Sequence, residues 1–130
     1  MSYDIRVCDK DTCETVVLPE KHNLAGGTFA MGGTDEAWLN VTYNYGDFFY
    51  EFMDEDKGIR AIYGKPLKDA VSLIDGTVSA IVDKFGDEPP DPDYWKATPG
   101  NACKALRNLK AIAEACLAAY PGREMEFQGD

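Results

Sequence analysis

Catalysis at neutral pH draws on few side-chain types, and this chain is poor in the most useful of them. It holds one histidine, His22, and imidazole is the usual proton carrier because its charge changes near physiological pH. His22 stands between Lys21 and Asn23 in a polar stretch and reads as a solvated surface residue. The four cysteines, Cys8, Cys13, Cys103 and Cys116, include no C-x2-C pair of the kind that zinc and thiol–disulfide sites use. Cys8 and Cys13 flank a four-residue turn and can face each other across a hairpin. Cys103 and Cys116 fall on one helix, about 20 Å apart along its axis, and cannot bridge. With no export signal in view, reduced thiols are expected. No serine or cysteine has a G-x-S-x-G setting. Among 23 acidic residues, no carboxylate pair stands out as a glycosidase couple. Gly27 and Gly32 have the spacing of a phosphate-binding loop, yet Gly33 fills the position that needs lysine. Asp9-x-Asp11 and Asp54-Glu55-Asp56 are fragments of a calcium loop without its full set of oxygen ligands. The expectation is a protein with no catalytic residues, no metal and no cofactor.

Charge narrows the partners. Thirteen cations against 23 anions leave a net charge of -10 over 130 residues. Phosphate-directed nucleic-acid binding depends on Lys and Arg displacing counterions, so direct binding of nucleic acid is not expected. Docking on anionic lipid is disfavoured for the same reason. The charge comes in blocks: residues 1–56 carry a net of -9, residues 57–68 hold Lys57, Arg60, Lys65 and Lys68 with no acid, and residues 69–93 return to -6. Residues 94–114 are net +3. No apolar run reaches the roughly 18 residues of a membrane span. Ser2-Tyr3-Asp4 does not read as the start of a signal peptide, so a cytoplasmic protein is expected.

The elements that would position any site follow from periodicity. Tyr3 to Cys8 alternates in the strand period, and Thr15-Val16-Val17-Leu18 is β-branched. Asp9 to Thr12 supplies turn formers between them, so the spacing predicts a hairpin closed by Pro19. A short strand is expected over 28–31 between the glycine pairs, and another over 38–45. In the latter, Leu39, Val41, Tyr43 and Tyr45 would oppose Trp38, Asn40, Thr42 and Asn44. Asp47 can cap a short helix near 47–53 with Phe48, Phe49, Phe52 and Met53 as its apolar stripe. Ile59 to Lys65 reads as a connector. A long helix is expected over about 66–85, with Leu67, Ala70, Ile74, Val78 and Ile81 on its buried face. Gly76 inside it suggests a close neighbour. Gly86 to Pro92 is proline-rich loop. Thr98-Pro99 is a strong helix start, and a second long helix over about 99–120 stops at Pro121-Gly122. Glu124 to Phe127 alternates and is expected as an edge strand or tail. The sum is a single α+β domain over 1–130: an antiparallel sheet of three to five strands packed with two long amphipathic helices.

Two surfaces are candidates for binding. The first is an acidic surface for a protein partner: Asp54, Glu55 and Asp56 in one loop, with Asp87, Glu88, Asp91 and Asp93 in another. If the fold joins the loops, their field suits a basic partner, with attraction that salt weakens. The second is a polar–aromatic set suited to a small anionic ligand or nucleotide: Asn40, Thr42, Asn44, Arg60, Tyr63, Lys65, Trp95 and Asn101.

Three segments also carry a resemblance. Gly26-Gly27-Thr28 through Gly32-Gly33-Thr34 and on to Tyr45, Gly58-Ile59-Arg60-Ala61-Ile62-Tyr63-Gly64-Lys65, and Asp93-Tyr94-Trp95-Lys96-Ala97-Thr98-Pro99-Gly100-Asn101-Ala102 resemble a family of small uncharacterised proteins. That family is associated with phages and mobile elements of Gram-positive bacteria. The likeness spans most of residues 26–105 and implies a phage or prophage accessory protein in the bacterial host cytoplasm. The leading expectation is therefore a non-catalytic interaction protein, an inhibitor of a host defence or nucleic-acid-handling factor. A small-molecule-binding domain and a virion structural component are the alternatives.

Overall fold

Tyr3, Ile5 and Val7 alternate with Asp4 and Arg6, and in the computed structural model the strand they form is central. The structure describes residues 1–28 and 33–130. Strand β1 (Ser2–Asp9) turns Tyr3, Ile5 and Val7 into the core, and each is at most 5% exposed. The sheet's other strands come from far along the chain. They are β4 (Trp38–Thr42) and β5 (Met125–Gly129), and β1 lies antiparallel between them. Tyr3 faces Val41 on one side, and Val7 faces Phe127 on the other.

The hairpin expected from residues 3–18 survives mainly as its turn. Cys8 and Thr15 form one bridge, and Val16 N–H donates to the Val7 carbonyl at 2.9 Å. The chain then leaves as β2 (Val17–His22), which pairs with β3 (Thr34–Glu36) in a separate two-stranded sheet. Pro19 lies within β2 instead of ending it, tolerated because, among the described residues, β2 pairs on one side only. The reason for the departure is competition. β4 and β5 fill the long pairing edges of β1, leaving the hairpin only the short stretch that β4 does not reach. The strand expected over 28–31 falls largely outside the described residues. The strand expected over 38–45 ends at Thr42, whose hydroxyl accepts from Asn44 N–H and opens a 3-10 turn over Tyr43–Tyr45.

Helix α1 (Gly46–Phe52) follows, and the connector expected over Ile59 to Lys65 begins as a second 3-10 turn, Gly58–Ile62. Tyr63 beyond it is extended and bridges to Phe127 of β5, and Gly64, turning with φ +75°, donates its N–H to the Phe127 carbonyl at 3.0 Å. Helices α2 (Leu67–Phe85) and α3 (Pro99–Ala119) match the expected spans. They pack on each other and on one face of the sheet, so Ile74, Ile81, Leu106, Leu109 and Ile112 join Ile5, Leu39 and Phe127 in one core. A methyl group at Gly76 would meet no atom within 4 Å, so close packing does not explain that glycine. No helix among the described residues is long and apolar enough to cross a membrane.

Candidate functional site

The proline-rich stretch after α2 cannot hydrogen-bond to itself as a helix or strand, so its backbone must find partners elsewhere. Asn101, buried in the first turn of α3, supplies them. Its side-chain oxygen accepts Asp91 N–H at 2.9 Å. Its side-chain nitrogen donates to the carbonyls of Asp93 and Lys96 at 3.1 and 3.0 Å. The Thr98 hydroxyl caps the helix by accepting Asn101 N–H at 3.1 Å. From the opposite side, Asn44 donates its amide to the Trp95 carbonyl at 2.8 Å, and the Tyr45 hydroxyl donates to the Tyr94 carbonyl. Burial pushes the Tyr45 phenol up to about 12, so it stays a donor.

With their backbone held from two sides, the rings of Tyr94 and Trp95 face water. They are 41% and 50% exposed and meet edge to face at 5.1 Å. Carboxylates precede them in the chain, at Asp87, Glu88, Asp91 and Asp93. Glu88 makes no ion pair among the described residues, and Asp87 makes only a long one to Arg107, at 3.8 Å. Asp91 accepts Asp93 N–H at 2.8 Å, and Asp93 pairs with Lys96 at 3.1 Å. The Asp93 carboxylate raises the Lys96 ammonium above its ordinary value.

The other acidic loop is a separate turn. Asp54 accepts the N–H groups of Asp56 and Lys57 at 2.9 and 2.8 Å, and these bonds lower its carboxyl. Glu55 and Asp56 are exposed. Among the described residues, no hydrogen bond or ion pair joins 54–56 to 87–93. What they share is a clamp: Phe48 and Phe52 meet Phe85 edge to face at 6.0 and 5.9 Å, and Lys84 pairs with Glu51 at 2.8 Å. Asp54 and Asp87 each stand two residues beyond that clamp.

The polar–aromatic set is divided. Asn44, Trp95 and Asn101 meet at the loop just described, where the two amides serve the backbone. Thr42 is buried as the cap of the 3-10 turn. Asn40 lies on the outer face of the sheet and donates to Ser2 and Asp4 at 2.7 and 2.6 Å. Arg60 donates to the Asp130 carbonyl at 2.8 Å and covers the Tyr3 ring. The Tyr63 hydroxyl is buried with no hydrogen-bond partner among the described residues, and burial raises it. Lys65 lines a groove at the start of α2, with no ion pair among the described residues. Tyr94 was missed as a site residue from sequence. The signal for it was the Asp93-Tyr94-Trp95 run between prolines and a helix cap.

Apart from Cys13, the histidine and cysteine side chains are occupied or enclosed. His22 donates from Nε2 to the Glu36 carbonyl at 2.7 Å and accepts Leu24 N–H on Nδ1 at 3.3 Å, the neutral tautomer that both partners require. Cys8, Cys103 and Cys116 are buried free thiols, and burial pushes Cys116 up to about 11. Cys13 is free and exposed. Among the described residues, no cluster of three or more His, Cys, Asp or Glu could hold a metal ion. Of the glycines at phosphate-loop spacing, Gly32 lies outside the described residues. Gly27 has φ +89°, and a side chain there would strike Tyr45 and Thr42.

No family model, curated protein or solved structure matches this chain.

Proposed function

We propose that this chain is a non-catalytic binding protein that captures a basic protein surface with the loop over residues 87–95. The observation that carries the reading is that Tyr94 and Trp95 are exposed while their backbone is clamped by Asn44, Tyr45 and Asn101. An exposed aromatic ring normally loses side-chain freedom on binding, and a rigid backbone beneath it lowers the cost of ordering the contact. Tyr and Trp are the side chains most enriched at binding hot spots. Carboxylates beside them favour Lys and Arg, which stack on the rings and pair at the rim.

The resemblance to phage and mobile-element proteins suggests the setting. The chain would act as an accessory protein that occupies the nucleic-acid-binding groove of a host factor, presenting carboxylates where phosphates would lie. The Glu55–Asp56 turn beyond the Phe52–Phe85 clamp would extend the acidic field.

The test is affinity capture from a bacterial lysate with wild type, Trp95→Ala and the pair Asp87→Asn with Glu88→Gln, followed by titration of the purified captured protein. Trp95→Ala should weaken binding by about thirtyfold, the equivalent of the roughly 2 kcal/mol that defines a hot spot. The neutralised pair should bind more weakly and respond less to salt than wild type does, and duplex DNA should compete. Equal binding by both variants, with no response to salt or DNA, would overturn the reading.

A further inference from the structure

A second site-like feature lies at the other end of α2, independent of the acidic loop. A groove of about 390 Å³ opens between the start of α2, the end of α3 and the start of β5. That volume is within the range of small-molecule sites, roughly 300–1,000 Å³. Its apolar lining comes from Leu67, Leu117 and Met125, which meet there because α2 and α3 pack side by side and β5 passes beneath them.

The charges around it divide into committed and free. Arg123 is tied to Asp9 at 2.8 Å, and Lys10 faces Glu124 at 3.8 Å. Glu126 accepts the side-chain amide of Gln128. Lys65 and Lys68 are exposed and make no ion pair or hydrogen bond through their ammonium groups among the described residues, although Lys65 helps to lower Asp54. Asp69 is the remaining carboxylate on the rim, in the first turn of α2. On a chain of net charge -10, two uncommitted ammonium groups beside an apolar trough are an unusual local balance. They give the groove one charged end and one oily floor.

We propose that this groove binds a small amphiphilic anion, with a carboxylate or phosphate head at Lys65 and Lys68 and an apolar body over Leu67, Leu117 and Met125. The head gains charge-assisted hydrogen bonds, and the body removes apolar surface from water. Neither part alone fits both halves of the lining.

The probe is n-hexyl phosphate, added to the full ¹⁵N-labelled chain, with inorganic phosphate and n-hexanol as separate arms. Hexyl phosphate should produce saturable amide shifts at Gly64–Asp69 and Gly122–Glu126. Each half-ligand should bind at least about tenfold more weakly, and Lys65→Gln with Lys68→Gln should cost about tenfold or more, since both side chains are exposed and the fold keeps its contacts. No saturable shift up to about 10 mM, the range of very weak complexes, would overturn the proposal. So would shifts elsewhere on the molecule, equal binding of either half-ligand, or an unaffected double variant. Co-sedimentation with anionic phospholipid vesicles, abolished by the same substitutions, would overturn the assignment to a free small molecule.

Discussion

Asn101 accepts the backbone N–H of Asp91 at 2.9 Å while its amide nitrogen reaches the carbonyls of Asp93 and Lys96. One buried side chain therefore replaces the backbone bonds that three prolines deny the loop. Asn101→Ala would leave a donor and two acceptors unpaired, at about 1–3 kcal/mol for a buried group left without its partner. Urea unfolding should show that loss, and amide exchange across 91–96 should quicken more than exchange in α2. Equal exchange in both segments would mean that the clamp does not hold the loop.

The Asp9 carboxylate accepts Arg123 at 2.8 Å and the N–H groups of Asp11 and Thr12 at 2.9 and 3.0 Å. The Arg123 bond is the main reason its carboxyl falls from 3.8 to about 2. A carboxyl depressed in the folded state binds its proton more readily when unfolded. Its contribution is therefore complete above the ordinary value of 3.8 and is lost as pH falls toward about 2. Asp9→Asn should flatten the fall of Tm across that interval, and high salt should shrink the difference, because the pair is near solvent. An identical acid limb in wild type and variant would remove Asp9 from the account.

Local pattern made the helices legible. Leu67, Ala70, Ile74 and Ile81 of α2, and Ala105, Leu106, Leu109 and Ile112 of α3, recur at helical spacing and are buried as that spacing requires. Strand pairing was not legible to the same degree. β1 takes β5 as a neighbour across more than a hundred residues, and nothing near Val7 announces Phe127. For the candidate site, the acids of 87–93 could be grouped because they share one loop. The amide of Asn101 resembled a ligand-binding group because its backbone partners appear only when the loop folds over α3. Lys68, Leu117 and Met125 belong together only after α2, α3 and β5 have packed.

Thiol chemistry should separate the four cysteines. Cys13 is exposed, whereas Cys8, Cys103 and Cys116 are buried, and burial raises all three of the latter. A raised thiol holds less of the reactive thiolate. Iodoacetamide at neutral pH should label Cys13 in the folded protein and all four only after denaturation, read by peptide mass spectrometry. Labelling of Cys116 before unfolding would contradict the packing of α3.

Two glycines should respond to alanine in opposite directions. Gly76 lies inside α2 with open space around it, so alanine there adds helix propensity without a clash, and Gly76→Ala should stabilise by up to about 1 kcal/mol. Gly27 has φ +89°, and a methyl group there would meet the Tyr45 hydroxyl and the Thr42 methyl. Gly27→Ala should destabilise by more than about 1 kcal/mol through backbone strain and overpacking. It should do more than lower Tm. Because the displaced Tyr45 hydroxyl donates to the Tyr94 carbonyl, amide exchange should rise around Tyr94 and Trp95, far along the chain from the substitution. Thermal unfolding of both variants, with exchange measured on Gly27→Ala, decides the matter. A Gly27→Ala protein with wild-type exchange at 94–95 would show that Tyr45 does not support the exposed rings.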